Sequence, residues 1–202
     1  MSDENPKSRR SAGAVRSEAS HQAIIDAAKT LLSEKGYVGF SIDGVARLAG
    51  ASKPTIYRWW ANKAQLIAEV YEVESACAIH IPEDLEVSQR FSLMLSTLWE
   101  LWHNTSCGVA FRSFIAESQN VKENMELLRD QFMARRFALP RQILATAVRR
   151  QELPADTDIE LMLVITFGFS WFHLLTDNLD QTETIAPFIQ HLFTAIPRKH
   201  QA

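Results

Sequence analysis

Two cysteines, Cys77 and Cys107, are all that this 202-residue chain holds, too few for a disulfide framework. Reduced thiols of a cytoplasmic protein are therefore the expectation. Seven glycines and seven prolines leave little material for a turn-rich fold. The long periodic stretches lack β-branched runs, so the chain is predicted to be all-α, with about nine helices. Residues 1–16 contain no apolar core segment, and no signal peptide is expected. The longest apolar run, 161–175, is broken by Thr166, Gly168, Ser170 and His173. As a helix it would reach about 23 Å, short of the ~30 Å hydrocarbon core of a membrane, so it reads as a buried helix. No glycine-rich phosphate loop, nucleophile elbow or paired-carboxylate signature is present, which argues against an enzyme. Cys77 and His80 lie three apart, but His103 and Cys107 stand elsewhere and do not complete a closed zinc set. Neither a metal nor a cofactor is expected.

What is present is sorted along the chain. Residues 1–65 carry ten Lys/Arg and six Asp/Glu, net +4; residues 66–202 carry eleven and eighteen, net −7. A basic N-terminal part suits a polyanion, and an acidic remainder does not. The reading divides the chain into a disordered basic arm (1–16), a helical domain of net positive charge (17–65) and a second, acidic helical domain (66–202). The arm holds Lys7, Arg9, Arg10 and Arg16 among small polar residues, and reads equally as a solvated tail or as a segment that orders along DNA.

The first helix is expected from Ser17 or Ser20 to Lys35, with Ile24, Ala27, Ala28, Leu31 and Leu32 on one face and Gly36 as its stop. Ser41 can cap a second helix over Ile42–Ala49, ended by Gly50. Ser52 can cap a third, with Pro54 in its first turn, where a missing N–H is harmless. Ala46, Gly50 and Ala51 are small, as two helices crossing over a tight turn require. Asn62 is expected to cap a fourth helix running to about Ile79. Further helices are predicted over 85–103, 108–118 and 122–150, the last kinked at Pro140. Another runs from a cap at Asp156 or Thr157 to about Asp177, and one more begins at 182–184. Glu72, Glu74, Glu83, Asp84 and Glu86 read as a solvated acidic face.

At about 100° per residue, setting Ile56 at the buried pole of the third helix brings Trp60 beside it and sends Pro54 and Arg58 to the opposite side. Lys53, Thr55 and Tyr57 then flank the outward face. Such a helix meets base edges with its N-terminal residues. Lys53 suits guanine O6 and N7, while Thr55 and the Pro54 ring suit a thymine methyl. Tyr57 and Arg58, farther along, suit phosphates, as do Ser41 and Lys63 beside helix N-termini. Trp59 falls between faces, either a core aromatic or an indole donor to phosphate.

The combined pattern, with Gly36 and Tyr37 followed by Ser41-Ile42-x-x-Val45-Ala46-x-x-Ala49-Gly50-Ala51-Ser52-x-x-Thr55-Ile56-Tyr57-x-x-Trp60-x-x-Lys63-x-x-Leu66, resembles the TetR family of bacterial transcriptional regulators. The resemblance covers about residues 24–66. It implies base-reading roles for Lys53, Pro54 and Thr55, with Ser52 as the cap, and phosphate contacts for Ser41, Tyr57, Trp59 and Lys63. Trp59 and Trp60 depart from the His or Tyr and the Phe or Val commoner at these places.

The resemblance further implies a C-terminal helical domain that dimerises through its last two helices and houses a pocket for a small-molecule effector. The residues are compatible with both. In 161–175 apolar groups point nearly all round, which requires cover on every side. A two-fold partner sharing Phe188, Ile189, Leu192 and Phe193 would supply part of it as a four-helix bundle. Trp99, Trp102, His103, Phe111, Phe114, Phe167, Trp171 and His173 form an aromatic-rich pool suited to an apolar or aromatic effector, with the two histidines as orienting groups. The function expected is a ligand-responsive repressor binding a palindromic DNA operator as a homodimer, with no membrane association. The alternative is an all-helical ligand-binding or protein-interaction module that does not bind DNA.

Overall fold

A computed structural model describes residues 12–75 and 81–198, with side chains from residue 18 onward. Its helices are α1 (Ala12–Gly39), α2 (Ile42–Ala49), α3 (Lys53–Trp59), α4 (Lys63–Ser75), α5 (Val87–Asn104), α6 (Ser106–Ser118), α7 (Lys122–Glu126), α8 (Met133–Arg149), α9 (Ile159–Leu175) and α10 (Ile185–Thr194). A π-helical segment, Leu127–Phe132, joins α7 to α8 without a break, and a 3-10 turn, Thr182–Thr184, leads into α10. With α7 and α8 counted as one, nine helices stand among the described residues, which contain no sheet. None of these helices is long and apolar enough to cross a membrane.

The first helix departs from expectation at its start. It already runs at Ala12, ahead of both Ser17 and Ser20. At Gly36 the backbone turns to φ +59° and ψ −168°, which ends the regular helix where expected, and a short helical piece continues to Gly39. Ile24, Ile25, Ala28 and Leu32 are fully buried and seat α2, α4 and α6 against α1. The fourth helix is described to Ser75, so its expected end, together with Cys77 and His80, lies outside the described residues.

Two later expectations need correction. The cap of α9 is Asp158, whose Oδ1 accepts from the Leu161 amide at 3.0 Å. Asp156 instead pairs with Arg198, and the Thr157 hydroxyl donates to the Pro154 carbonyl. In the long stretch expected over 122–150, the turn that departs from α geometry is the π segment, eight residues before Pro140, which lies buried inside α8. An extra residue in the turn at 127–132 directs Leu128 and Phe132 into the core while Arg129, Asp130 and Gln131 face out.

The core is continuous from head to body. Tyr71 on α4, Phe111 and Phe114 on α6 and Phe132 of the π segment meet ring to ring, with Phe111 and Phe132 centroids 4.9 Å apart. The α5–α6 corner is tight. A Cβ on Gly108 would stand 2.2 Å from the Trp102 carbonyl oxygen, so only glycine fits.

Candidate nucleic-acid interface and ligand cavity

The turn between α2 and α3 is fixed by local chemistry. The Ser41 hydroxyl accepts from the Gly44 amide at 3.1 Å, capping α2. Gly50 is left-handed at φ +62°, and the Ala51 amide returns to the Ala46 carbonyl at 3.0 Å. A Cβ on Gly50 would meet nothing within 4 Å. Its requirement is therefore the positive φ and not the crowding expected from a tight crossing. The Ser52 hydroxyl accepts from the Thr55 amide at 3.2 Å and shares a 2.8 Å hydrogen bond with the Thr55 hydroxyl.

On α3, Ile56 and Trp60 are buried as the helical wheel predicts. Ser52, Lys53, Pro54, Tyr57 and Arg58 are exposed, Thr55 is half-buried, and Ser41 is exposed. Lys53 is ion-paired with Asp43 of α2. Both side chains are more than half exposed, so the pair is worth about 0–1 kcal/mol and yields readily to a stronger partner. Lys63 lies differently from a free phosphate ligand. Its Nζ stands 3.6 Å from the Tyr37 ring centroid and donates to the Tyr37 carbonyl at 3.5 Å, and partial burial pulls its ammonium below the usual lysine range. Trp59 is half-buried, edge-on to His21 at 5.2 Å and to Trp60 at 5.6 Å, with the Arg58 guanidinium 5.5 Å from its ring.

The helix behind this face is α4, and its three carboxylates tie it to its neighbours. Glu69 accepts from the Trp60 indole at 2.6 Å and lies 2.9 Å from His21 Nε2, joining α3, α1 and α4. Glu74 pairs with Lys29 of α1 at 3.3 Å and accepts from the Ser106 hydroxyl of α6. Glu72 pairs with Arg136 of α8 and lies 3.5 Å from Arg135 Nε. The acidic face expected to be solvated is therefore, at Glu72 and Glu74, a set of inter-helix ties. Their partners stand far away in sequence, which is why periodicity alone did not find them. Asp84 and Glu86 are exposed, and Glu83 reaches Arg150.

Between α4, α5, α6, α8 and α9 is a cavity of about 150 Å³. Met94, Leu98, Trp102, Phe111, Met133 and Phe167 form its apolar wall, and Tyr71, Ser75, Arg135 and Arg136 its polar edge. The Trp102 indole donates to the Tyr71 hydroxyl at 2.9 Å. Burial holds that phenol well above its ordinary pKa, so it stays a proton donor. Of the residues picked out from sequence, Trp102, Phe111 and Phe167 line the cavity, and Trp171 meets Phe111 edge-on at 5.5 Å. Phe114 is buried behind the wall against Phe132. Trp99 meets the tilted ring of His173 at 4.6 Å and stacks on Phe169 at 5.5 Å, and His173 Nδ1 lies 3.2 Å from the Asn178 carbonyl oxygen. His103 is exposed, on a separate surface cleft. Sequence reasoning missed Tyr71, Ser75, Arg135 and Arg136. The i, i+4 spacing of Tyr71 and Ser75, and of Arg136 and Pro140, was the signal available.

A second, more open cleft of about 650 Å³ separates Trp59, Trp60, Glu69 and Glu72 from Leu127, Gln131 and Arg135. Glu72 and Arg135 stand where the two spaces adjoin: Glu72 lines the cleft, and Arg135 lines both.

Comparison with known proteins adds an independent finding. Residues 24–70 match the profile of bacterial regulatory proteins of the tetR family, and residues 82–191 match the tetracyclin repressor-like C-terminal domain. The uncharacterised HTH-type transcriptional regulator YdeS of Bacillus subtilis is 28% identical over 163 residues, 81% of this chain and 82% of its own. The crystal structure of the TetR family regulator SCO0332 superposes with a TM-score of 0.71 at 22% identity, covering 91% of this chain and 98% of that one. FadR from Bacillus subtilis, solved in complex with stearoyl-CoA, superposes with a TM-score of 0.67 at 17% identity, covering 84% and 97%.

Proposed function

Because the chain belongs to the TetR family of bacterial transcriptional regulators, we propose that it is a homodimeric repressor released from a palindromic operator by a small apolar or aromatic effector. It is a DNA-binding regulator and not an enzyme. In this reading Lys53, Pro54 and Thr55 meet base edges in the major groove, and Ser41, Tyr57, Arg58, Trp59 and Lys63 anchor phosphates. Lys63 gives up its place over the Tyr37 ring to do so. Two copies put their α3 helices into half-sites spaced by about 34 Å or a multiple of it.

The observation that carries the proposal is the apolar cavity walled on one side by Tyr71 and Ser75 of α4, the helix whose middle holds the α3 seat through Glu69 and Trp60. An effector there bears on α4, which packs against both halves. It shifts the dimer only by binding better to a form whose α3 helices are wrongly spaced for DNA. That a structural relative is solved with stearoyl-CoA supports a ligand-binding sensor domain. Dimerisation is supported by α9, which leaves Leu161, Val164, Ile165, Phe172 and Leu175 exposed, between 39% and 61% each, whereas Ile189 and Leu192 of α10 are buried within the single chain.

Fluorescence anisotropy on DNA from upstream of its own gene tests the proposal. Sequence-selective binding that weakens steeply with salt is expected. Its absence would favour an all-helical binding module without DNA recognition.

A further inference from the structure

The polar edge of the cavity is chemically one-sided. Tyr71, Arg135 and Arg136 all present donors. The Tyr71 oxygen already accepts from Trp102, and among the described hydrogen bonds its own proton has no acceptor. Arg136 Nη1 donates to Ser75 at 2.8 Å and Nη2 to Glu72, while its Nε is buried without a partner. The one acidic group among them, Glu72, uses a single oxygen on Arg136. Its Oε1 is buried without a hydrogen bond, although Arg135 Nε is 3.5 Å away. Two guanidinium groups thus share one imperfectly paired carboxylate.

Donor surplus beside an apolar wall suits a molecule with an acceptor-only head and an apolar body. A guanidinium pairs best with a carboxylate through two parallel hydrogen bonds, which Glu72 does not make. The body is limited by volume. A cavity of about 150 Å³ holds one benzene-sized ring.

We propose that the effector is a single-ring carboxylate, its ring held by Met94, Leu98, Trp102 and Phe111 and its carboxylate taken by Arg136 and the Tyr71 hydroxyl in place of Glu72. The inference rests on the reading of this cavity as the effector site. Exchange is feasible because Glu72 also borders the open cleft beside Trp60, where its released carboxylate meets water and is not stranded. The exchange replaces the Glu72–Arg136 ion pair with the effector's own bridge from Arg136 of α8 to Tyr71 of α4, and the Arg136–Ser75 hydrogen bond stays in place. Glu69 stays on Trp60 and Glu74 on Lys29 and Ser106, so α4 keeps its ties to the head and to α6 and shifts only against α8. Glu72 is therefore an internal competitor for the effector, and the Glu72–Arg136 pair is the latch of the DNA-binding form.

The test uses full-length protein, isothermal titration with benzoate and with benzamide (equal in shape, differing in charge), and operator release followed by anisotropy. Benzoate is expected to bind at least about tenfold more tightly than benzamide. Glu72→Gln should tighten benzoate several-fold, leave benzamide unchanged and weaken operator binding without any ligand. Arg136→Gln should bring the benzoate to benzamide ratio near one. Equal binding of the two probes by the unaltered protein would overturn the carboxylate inference while leaving the cavity as an effector site. An unchanged benzoate affinity in a folded Glu72→Gln protein would overturn the latch. If neither ring bound at about 10 mM, the weak end for so small a ligand, the cavity reading would fall and this inference with it.

Discussion

Glu69 is the carboxylate on which the seat of α3 depends, and replacing it separates that role from general helix stability. In Glu69→Ala the Trp60 indole N–H, 2.6 Å from Glu69 in the native chain, loses its acceptor in a residue only 2% exposed. Leaving a buried donor unsatisfied costs about 1–3 kcal/mol. The His21 contact adds little, because both side chains are more than a third exposed and solvent screens them, so about 0–1 kcal/mol is lost there. The sum is roughly 1–4 kcal/mol, and for a chain of this size each kcal/mol moves the melting temperature by about 2–4 °C. A fall of roughly 2–16 °C is expected by calorimetry. Glu69→Gln keeps an oxygen acceptor for the indole and should fall by less than half as much. Operator affinity should drop further in Glu69→Ala than melting alone explains, because Trp60 ends α3. The reasoning is refuted if Glu69→Ala melts within 1 °C of the native protein, or if the Gln variant falls as far as the Ala variant.

Other outcomes follow from the same geometry. Lys53→Ala should relax base preference at one operator position by about 1–3 kcal/mol in competition binding, whereas Asp43→Asn, which removes an exposed negative charge beside α3, should tighten all DNA sequences alike. Gly108→Ala should destabilise by about 1–3 kcal/mol in a denaturant titration, since the added methyl meets the Trp102 backbone, and should lower binding in the cavity that Trp102 lines. Burial pushes the Cys107 thiol from 9.0 up to about 12 and the Tyr71 phenol above its ordinary 10.0. These are acids with raised folded values, so the unfolded chain releases protons first. Their stabilising contribution is complete below about pH 9 and drains away as pH rises toward the folded values. Guanidinium midpoints should be lower at pH 10.5 than at pH 7.5, and Cys107→Ala should shrink the difference.

What the sequence determined by itself was whatever depends on neighbours within a turn or two. The caps at Ser41 and Ser52, the left-handed stop at Gly50 and the burial of Ile56 and Trp60 are local, because a hydroxyl reaches an amide three residues on and a helical face repeats every three or four. The outward set of Lys53, Pro54, Tyr57 and Arg58 follows from the same periodicity. Tertiary structure decided the rest. Arg136 is 64 positions from Glu72, and Trp102 is 31 from Tyr71, so no spacing rule connects them. Aromatic content alone did not separate Trp99, packed on His173, from Trp102, which faces the cavity. Both are apolar residues on one helix, and only the neighbour each meets sets them apart. The helix-turn-helix was legible because its interactions are short in sequence. The cavity and its latch were not, because they exist only where α4, α5, α6 and α8 converge.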